Sequence, residues 1–162
     1  MVLTASTGGI GRHVASVAPR LVARGFDVTV HAPAVTLAAH DVGVPATGLG
    51  AVALARGIGS ADVVHAHGYK AAALALPYAR VRRVPLVATW HNAVLGFGPG
   101  ARAGRVLQRA VARGADLVLA ASTRSAPRAT TRCRMRPARA PAPPSRTALC
   151  QVTTSGTRRT RA

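Results

Sequence analysis

Short continuous apolar runs alternate with helix-spaced apolar positions along the first three quarters of the chain. Val2, Leu3 and Ala5 form a brief apolar run, which fits a buried parallel strand. Ile10, Val14, Val17 and Leu21 then recur at i, i+4, i+7 and i+11, while Arg12, His13, Ser16, Arg20 and Arg24 fall largely on the other faces. That spacing predicts one long amphipathic helix. Pro19 lies inside it and removes a hydrogen bond at about 3 kcal/mol, so a kink is expected there, and Gly25 suits the helix stop. Strand and helix are joined by Ser6-Thr7-Gly8-Gly9-Ile10-Gly11, whose glycines allow positive φ and a close backbone approach to a ligand. A helix opened by such a turn presents free N–H groups and a positive dipole end, suited to a phosphate.

The same alternation continues. Asp27-Val28-Thr29-Val30-His31 is β-branched and alternating, a second strand. Residues 33–50 hold Pro33, Pro45 and several glycines, and predict loop with one short strand near Val42 to Ala46. Ala51 to Arg56 predicts a short helix. Asp62-Val63-Val64-His65-Ala66-His67 reads as a buried strand ending in a turn at Gly68. Lys70 to Arg82 predicts a helix despite Pro77. Pro85 to His91 predicts a strand that begins with proline, an acceptable place for it. Gly96 to Gly100 is a flexible connection, Ala101 to Arg113 a helix, and Asp116 to Ser122 a last strand.

Strands that are apolar throughout and alternate with helices argue an α/β fold, a Rossmann-like doubly wound parallel sheet. In such sheets ligands lie at the carboxyl ends of the strands. The Gly8-Gly9-Ile10-Gly11 turn, His65 and His67, and His91 with Asn92 all fall at those ends. Three separate segments point into one crevice.

Charge divides the chain in two. The net charge of +18 is the sum of +8 over residues 1–122 (12 basic, 4 acidic) and +10 over residues 123–162 (10 arginines, no acid). The second part is rich in Arg, Pro, Ala and Thr and lacks aliphatic runs. It cannot bury enough apolar surface to offset its ordering entropy and is expected to be a disordered basic tail. Arginine, proline, alanine and threonine are also what GC-rich codons give when read out of frame, and the abrupt change after Ala120-Ala121-Ser122 favours that origin. Cys133 and Cys150 are the only cysteines, too few for a disulfide framework, so a reducing compartment is expected. No secretory signal opens the chain. The apolar run Ala71 to Leu76 is far shorter than the roughly 20 residues a membrane span needs. The expected location is cytoplasmic, peripheral at the inner membrane face at most.

Two nucleotide-handling chemistries compete for the glycine turn. Thr4-Ala5-Ser6-Thr7-Gly8-Gly9-Ile10-Gly11 is similar to the TGxxxGxG of NAD(P)-binding short-chain dehydrogenases, an oxidoreductase reading. It departs at Ala5. The family's Tyr-x-x-x-Lys pair is also missing, since the sole lysine, Lys70, has Ala66 four residues before it. The second strand ends His31-Ala32-Pro33 without an acidic residue for a ribose hydroxyl.

The other resemblance is broader. Gly8-Gly9-Ile10-Gly11-Arg12-His13-Val14, Asp62 to His67, Val87-Ala88-Thr89-Trp90-His91-Asn92 and Ala115 to Ser122 occur in that order. Together they resemble the N-terminal domain of family 4 glycosyltransferases, over residues 1–122. The resemblance implies one half of a two-domain GT-B fold and a retaining, nucleotide-sugar-dependent transfer. It implies that Gly8, Gly9 and Gly11 carry a turn over the donor's diphosphate and sugar, and that His91 lies beside the transfer centre with Asn92. His67 matches the histidine ending the preceding strand. No cofactor is implied other than the nucleotide-diphosphate sugar itself, which is a substrate, and the acceptor is unspecified. Such an enzyme carries a second, donor-binding Rossmann domain, for which this chain has no room, so the chain alone is expected to be inactive.

The remaining histidines have plainer roles. His65 and His67 share a strand face, so a metal site with His91 is conceivable, but no acid or thiolate accompanies them and none is expected. A buried, hydrogen-bonded role suits His65. His13, His31 and His40 are expected at the surface, and Trp90 in the core. The arginine tail could contact nucleic acid or an anionic membrane through phosphate attraction. Without interleaved aromatics, a basic nucleic-acid-binding protein of this kind would bind without sequence preference.

Overall fold

The computed structural model describes residues 1–91 and 98–121; Asn92 and the arginine-rich segment from residue 123 lie outside them. Eleven elements follow one another: β1 (Val2–Leu3), α1 (Gly9–Val22), β2 (Val30–His31), α2 (Ala34–Ala39), β3 (Ala46–Thr47), α3 (Ala51–Gly59), β4 (Val64–His67), α4 (Tyr69–Arg82), β5 (Leu86–Trp90), α5 (Pro99–Gly114) and β6 (Leu117–Ala120). The six strands form one sheet in the order β3-β2-β1-β4-β5-β6, and every pairing is parallel. The chain works outward from β1 to one edge, then returns to β4 and works outward to the other. That is the strand order of a doubly wound Rossmann-like sheet, with its switch point between β1 and β4.

The helices form where the periodicity put them, and both internal prolines are accommodated. α1 runs through Pro19, and α4 runs through Pro77. Gly25 takes φ +87 after α1, and Gly68 takes φ +91 between β4 and α4, backbone conformations that favour glycine. Two expectations are corrected. Residues 34–39 form α2 instead of loop; six residues after Pro33 are too few for a helical period to show. The strand expected near Val42 to Ala46 is Ala46–Thr47, because Gly43 takes φ +61 and Pro45 offers no N–H to a ladder.

Side-chain alternation sorts β4 and β5 between two cores. Val64, Ala66, Leu86, Ala88 and Trp90 pack with Leu54 and Ile58 of α3, Ala71, Ala72, Ala75 and Ala79 of α4, and Val111 of α5. Small alanines let α4 lie close to the sheet, and Trp90 fills the space at 1% exposure, as a core tryptophan. Each fully buried Leu or Ile here contributes about 1.5–3 kcal/mol. On the other face Leu3, Val14, Ala18, Val30, Ala32 and Val42 form a second core under α1. The alternate residues of β4 and β5, namely His65, His67, Val87 and Thr89, therefore face the α1 side. Polar side chains on an otherwise apolar sheet mark where the site lies.

Candidate functional site

The Gly8–Gly11 turn meets the switch point. Leu3 pairs with His67 in register, and His67 pairs with Thr89, so the carboxyl ends of β1, β4 and β5 are level. α1 starts there with Gly8 as its N-cap, no capping side chain and no acid in its first turn. Its first N–H groups have no intrahelical acceptor. The Gly11 amide donates to Ser6 Oγ at 3.2 Å, and Ser6 is held in turn by its own amide donating to Thr36 Oγ1 at 2.9 Å. The Arg12 amide donates to the Gly8 carbonyl at 3.2 Å. The amides of Gly9 and Ile10 are left at the open helix end.

The three glycines do different things. A Cβ on Gly8 or Gly9 would meet no atom within 4 Å, so both border open space. Gly11 is buried, and a Cβ there would run into the imidazole of His40. Gly8 and Gly9 face the crevice, whereas Gly11 permits packing.

Four imidazoles gather beside this turn. His67 closes β4, 1% exposed, and its Nδ1 lies 3.3 Å from Nε2 of His91, which follows β5. His65 stacks at 4.1 Å on His67 and bonds through Nε2 to Thr89 Oγ1 at 2.7 Å, the buried, hydrogen-bonded role expected of it. His13, one turn into α1, completes the group, its ring 5.2 Å from that of His91 and 5.5 Å from that of His67. Nε2 of His67 is buried without a hydrogen-bond partner, which costs on the order of 1–3 kcal/mol.

Burial and mutual repulsion favour the neutral form of His65, His67 and His91. Burial lowers the pKa of His65 to about 4, with smaller contributions from the N-terminal amine, His13 and His91. Burial lowers that of His67 further, reinforced by His65, His91 and His13. His91 is lowered by burial and by His13. Among the described residues no carboxylate joins their cluster; Asp27, Asp62 and Asp116 precede β2, β4 and β6, at the opposite end of the sheet. Helix N-termini and imidazoles gathered at this end make the mouth suited to an anion. Neutral imidazoles there can donate to a phosphate or hydroxyl, exchange a proton, or ligate a metal.

The sequence reading misplaced two histidines, His31 and His40, and left His13 out of the site. His13 is exposed as expected, yet it belongs to the site. Its place among the polar positions of α1 gave no hint that this face meets β4 and β5. His31 is buried at 6%, because β2 lies inside the sheet and its Nδ1 bonds to Thr47 Oγ1 at 3.0 Å. His40 lies half-buried, with Nε2 shut in beneath Gly11 and unpartnered. His67 and His91 sit where they were expected, at the ends of adjacent strands; Asn92 lies outside the described residues.

This arrangement has relatives. The pattern of glycosyltransferase family 4 matches residues 7–141. The chain belongs to that family. The match reaches into the arginine-rich segment, past residue 122. Among solved structures the family 4 chain is similar to Anabaena Alr3699/HepE in complex with UDP and glucose, at 19% identity and a TM-score of 0.60. It covers 76% of this chain and 38% of that one. It is also similar to Acinetobacter baumannii MurG, at 20% identity and a TM-score of 0.58, covering 81% of this chain and 43% of that one. Both are GT-B glycosyltransferases, and at such identities the likeness shows the shared fold. The family 4 chain thus spans about two fifths of the length of these structures. No curated protein sequence matches it. Family membership favours the transferase reading of the glycine turn over the dehydrogenase one. Among the described residues no helix is long and apolar enough to cross a membrane.

Proposed function

We propose that this chain is the acceptor-side half of a retaining, nucleotide-sugar-dependent glycosyltransferase. The observation that carries the reading is the meeting of exposed Gly8 and Gly9, the open N-terminus of α1 and the His67–His91 pair at the switch point of a family 4 domain. In the proposed mechanism the donor's diphosphate lies against the turn, where amides and the helix dipole offset the charge that develops on the leaving nucleotide. Gly8 and Gly9 leave room for it, and Gly11 keeps the turn seated. His91, half-buried at the crevice mouth, lies beside the transferring sugar, with Asn92 next to it in sequence, and His67 orients the His91 ring through the 3.3 Å contact. HepE has been seen with UDP and glucose, which supports a nucleotide sugar as the class of donor.

The nucleotide's larger share is assigned to a second, donor-binding domain, and the chain of residues 1–162 by itself is proposed not to transfer sugar. Its place is cytoplasmic, with the arginine segment giving weak contact to an anionic membrane surface or to nucleic acid. A sugar-nucleotide turnover assay on the purified chain tests the reading. Background hydrolysis alone is expected, and robust transfer would refute the need for a second domain.

A further inference from the structure

We infer that His13, His67 and His91 form a binding site for a borderline transition-metal ion of the zinc, cobalt(II) or nickel(II) class. Each of the three offers one ring nitrogen, and these nitrogens all lie within 4.8 Å of one another. They come from α1, the end of β4 and the residue after β5, three elements fixed by the sheet. Two nitrogens on a tetrahedral zinc, each about 2.0–2.1 Å from the ion, sit roughly 3.3–3.4 Å apart. His67 Nδ1 and His91 Nε2 are already 3.3 Å apart. The remaining contraction falls to His13, whose exposed side chain on the first turns of α1 is free to swing inward.

Two further observations favour a cation of this class. His67 is 1% exposed at the end of β4, so the strand holds this ring in place for a ligand. The donor set selects the ion: imidazole nitrogens suit zinc, copper, iron and nickel. Calcium and magnesium require oxygen ligands, and the three grouped side chains offer only ring nitrogens. Three protein ligands leave a fourth position open toward the crevice, for water or a phosphate oxygen. His65 stands behind His67, bonded to Thr89, and is not a ligand.

This site does not depend on the transferase reading, since metal binding is measured without nucleotide. The test is titration of untagged, chelator-treated protein with cobalt(II), followed by visible absorbance, with zinc displacement. One cobalt per chain with the intense bands of tetrahedral coordination is expected, abolished by one equivalent of zinc and unaffected by magnesium. His13→Ala, at an exposed position, keeps the fold by circular dichroism and weakens binding at least tenfold, since even a ligand's hydrogen-bonding support is worth about 10–100-fold. The neighbouring exposed Arg12→Ala binds as the parent does. In histidine-selective NMR, zinc shifts the ring signals of His13, His67 and His91 and leaves those of His31 and His40. No stoichiometric cobalt binding, or binding undiminished in His13→Ala, would overturn the site.

Discussion

Replacing Gly11 with alanine separates packing from ligand binding within a single glycine turn. A Cβ at position 11 enters the space of the His40 imidazole and comes to 3.0 Å from the Ser6 carbonyl oxygen. Overpacking of this kind costs about 1–3 kcal/mol. Alanine in a helix recovers up to about 1 kcal/mol relative to glycine, so the net loss is roughly 0–2 kcal/mol. The sign depends on His40. In a His40→Ala background the imidazole is gone and only the Ser6 carbonyl remains close, so the same substitution becomes neutral or stabilising. A double-mutant cycle by urea denaturation reads this as a coupling of about 1–3 kcal/mol between positions 11 and 40. A parallel thermal series shifts by roughly 4 °C per kcal/mol. Equal effects of Gly11→Ala in both backgrounds, within about 0.5 kcal/mol, would refute the packing role. His40 would then not be what keeps position 11 small.

Gly9→Ala makes the converse prediction. No atom lies within 4 Å of the added methyl, so stability holds or rises by up to about 1 kcal/mol, while nucleotide binding weakens because the methyl projects into the crevice. Acid should destabilise the fold from an unusually high pH. The unfolded chain protonates His65 near 6.5 and the folded chain only near 4, so the unfolded state holds the extra proton between those values. Stability is therefore full above pH 6.5 and falls as pH drops to 4, by roughly 3 kcal/mol for 2.5 pKa units. His65→Gln should make that slope in a pH series of urea midpoints shallower. Asp116 joins the starts of β5 and β6, its amide donating to the Leu86 carbonyl and its Oδ2 accepting from the Leu86 amide, each at 2.9 Å. Asp116→Ala should cost about 1.5–3 kcal/mol and Asp116→Asn clearly less, as judged by denaturant midpoints.

How much of this was legible in the sequence varies with the range of the interaction. Strands such as Leu86–Trp90 could be read directly, because a parallel strand covered on both faces is close to a continuous apolar run. The pile-up of Gly8–Gly11, His67 and His91 at one edge followed from parallel topology alone. α2 was not legible, since six residues after a proline carry less than two turns of periodicity. His13 was missed for a different reason. Periodicity places it correctly on the polar side of α1, but whether that side meets solvent or other histidines is decided by the packing of α1 over β1 and β4. His31 and His40 show the same limit: burial of a histidine depends on neighbours, Thr47 and Gly11, that no local pattern couples to it.

The central claim is that the mouth between β1 and β4 receives the diphosphate of a nucleotide sugar. The most direct measurement is a titration of the isotope-labelled chain with UDP and with UDP-glucose, followed through backbone amide NMR shifts. A half-site should bind weakly, and the account predicts shifts concentrated at Gly8, Gly9 and Ile10, with smaller ones at Gly68 and His91. Those at Gly9 and Ile10 should shrink in Gly9→Ala, and inorganic diphosphate should reproduce most of them. Shifts confined to other surfaces, or none at these amides at millimolar nucleotide, would contradict it.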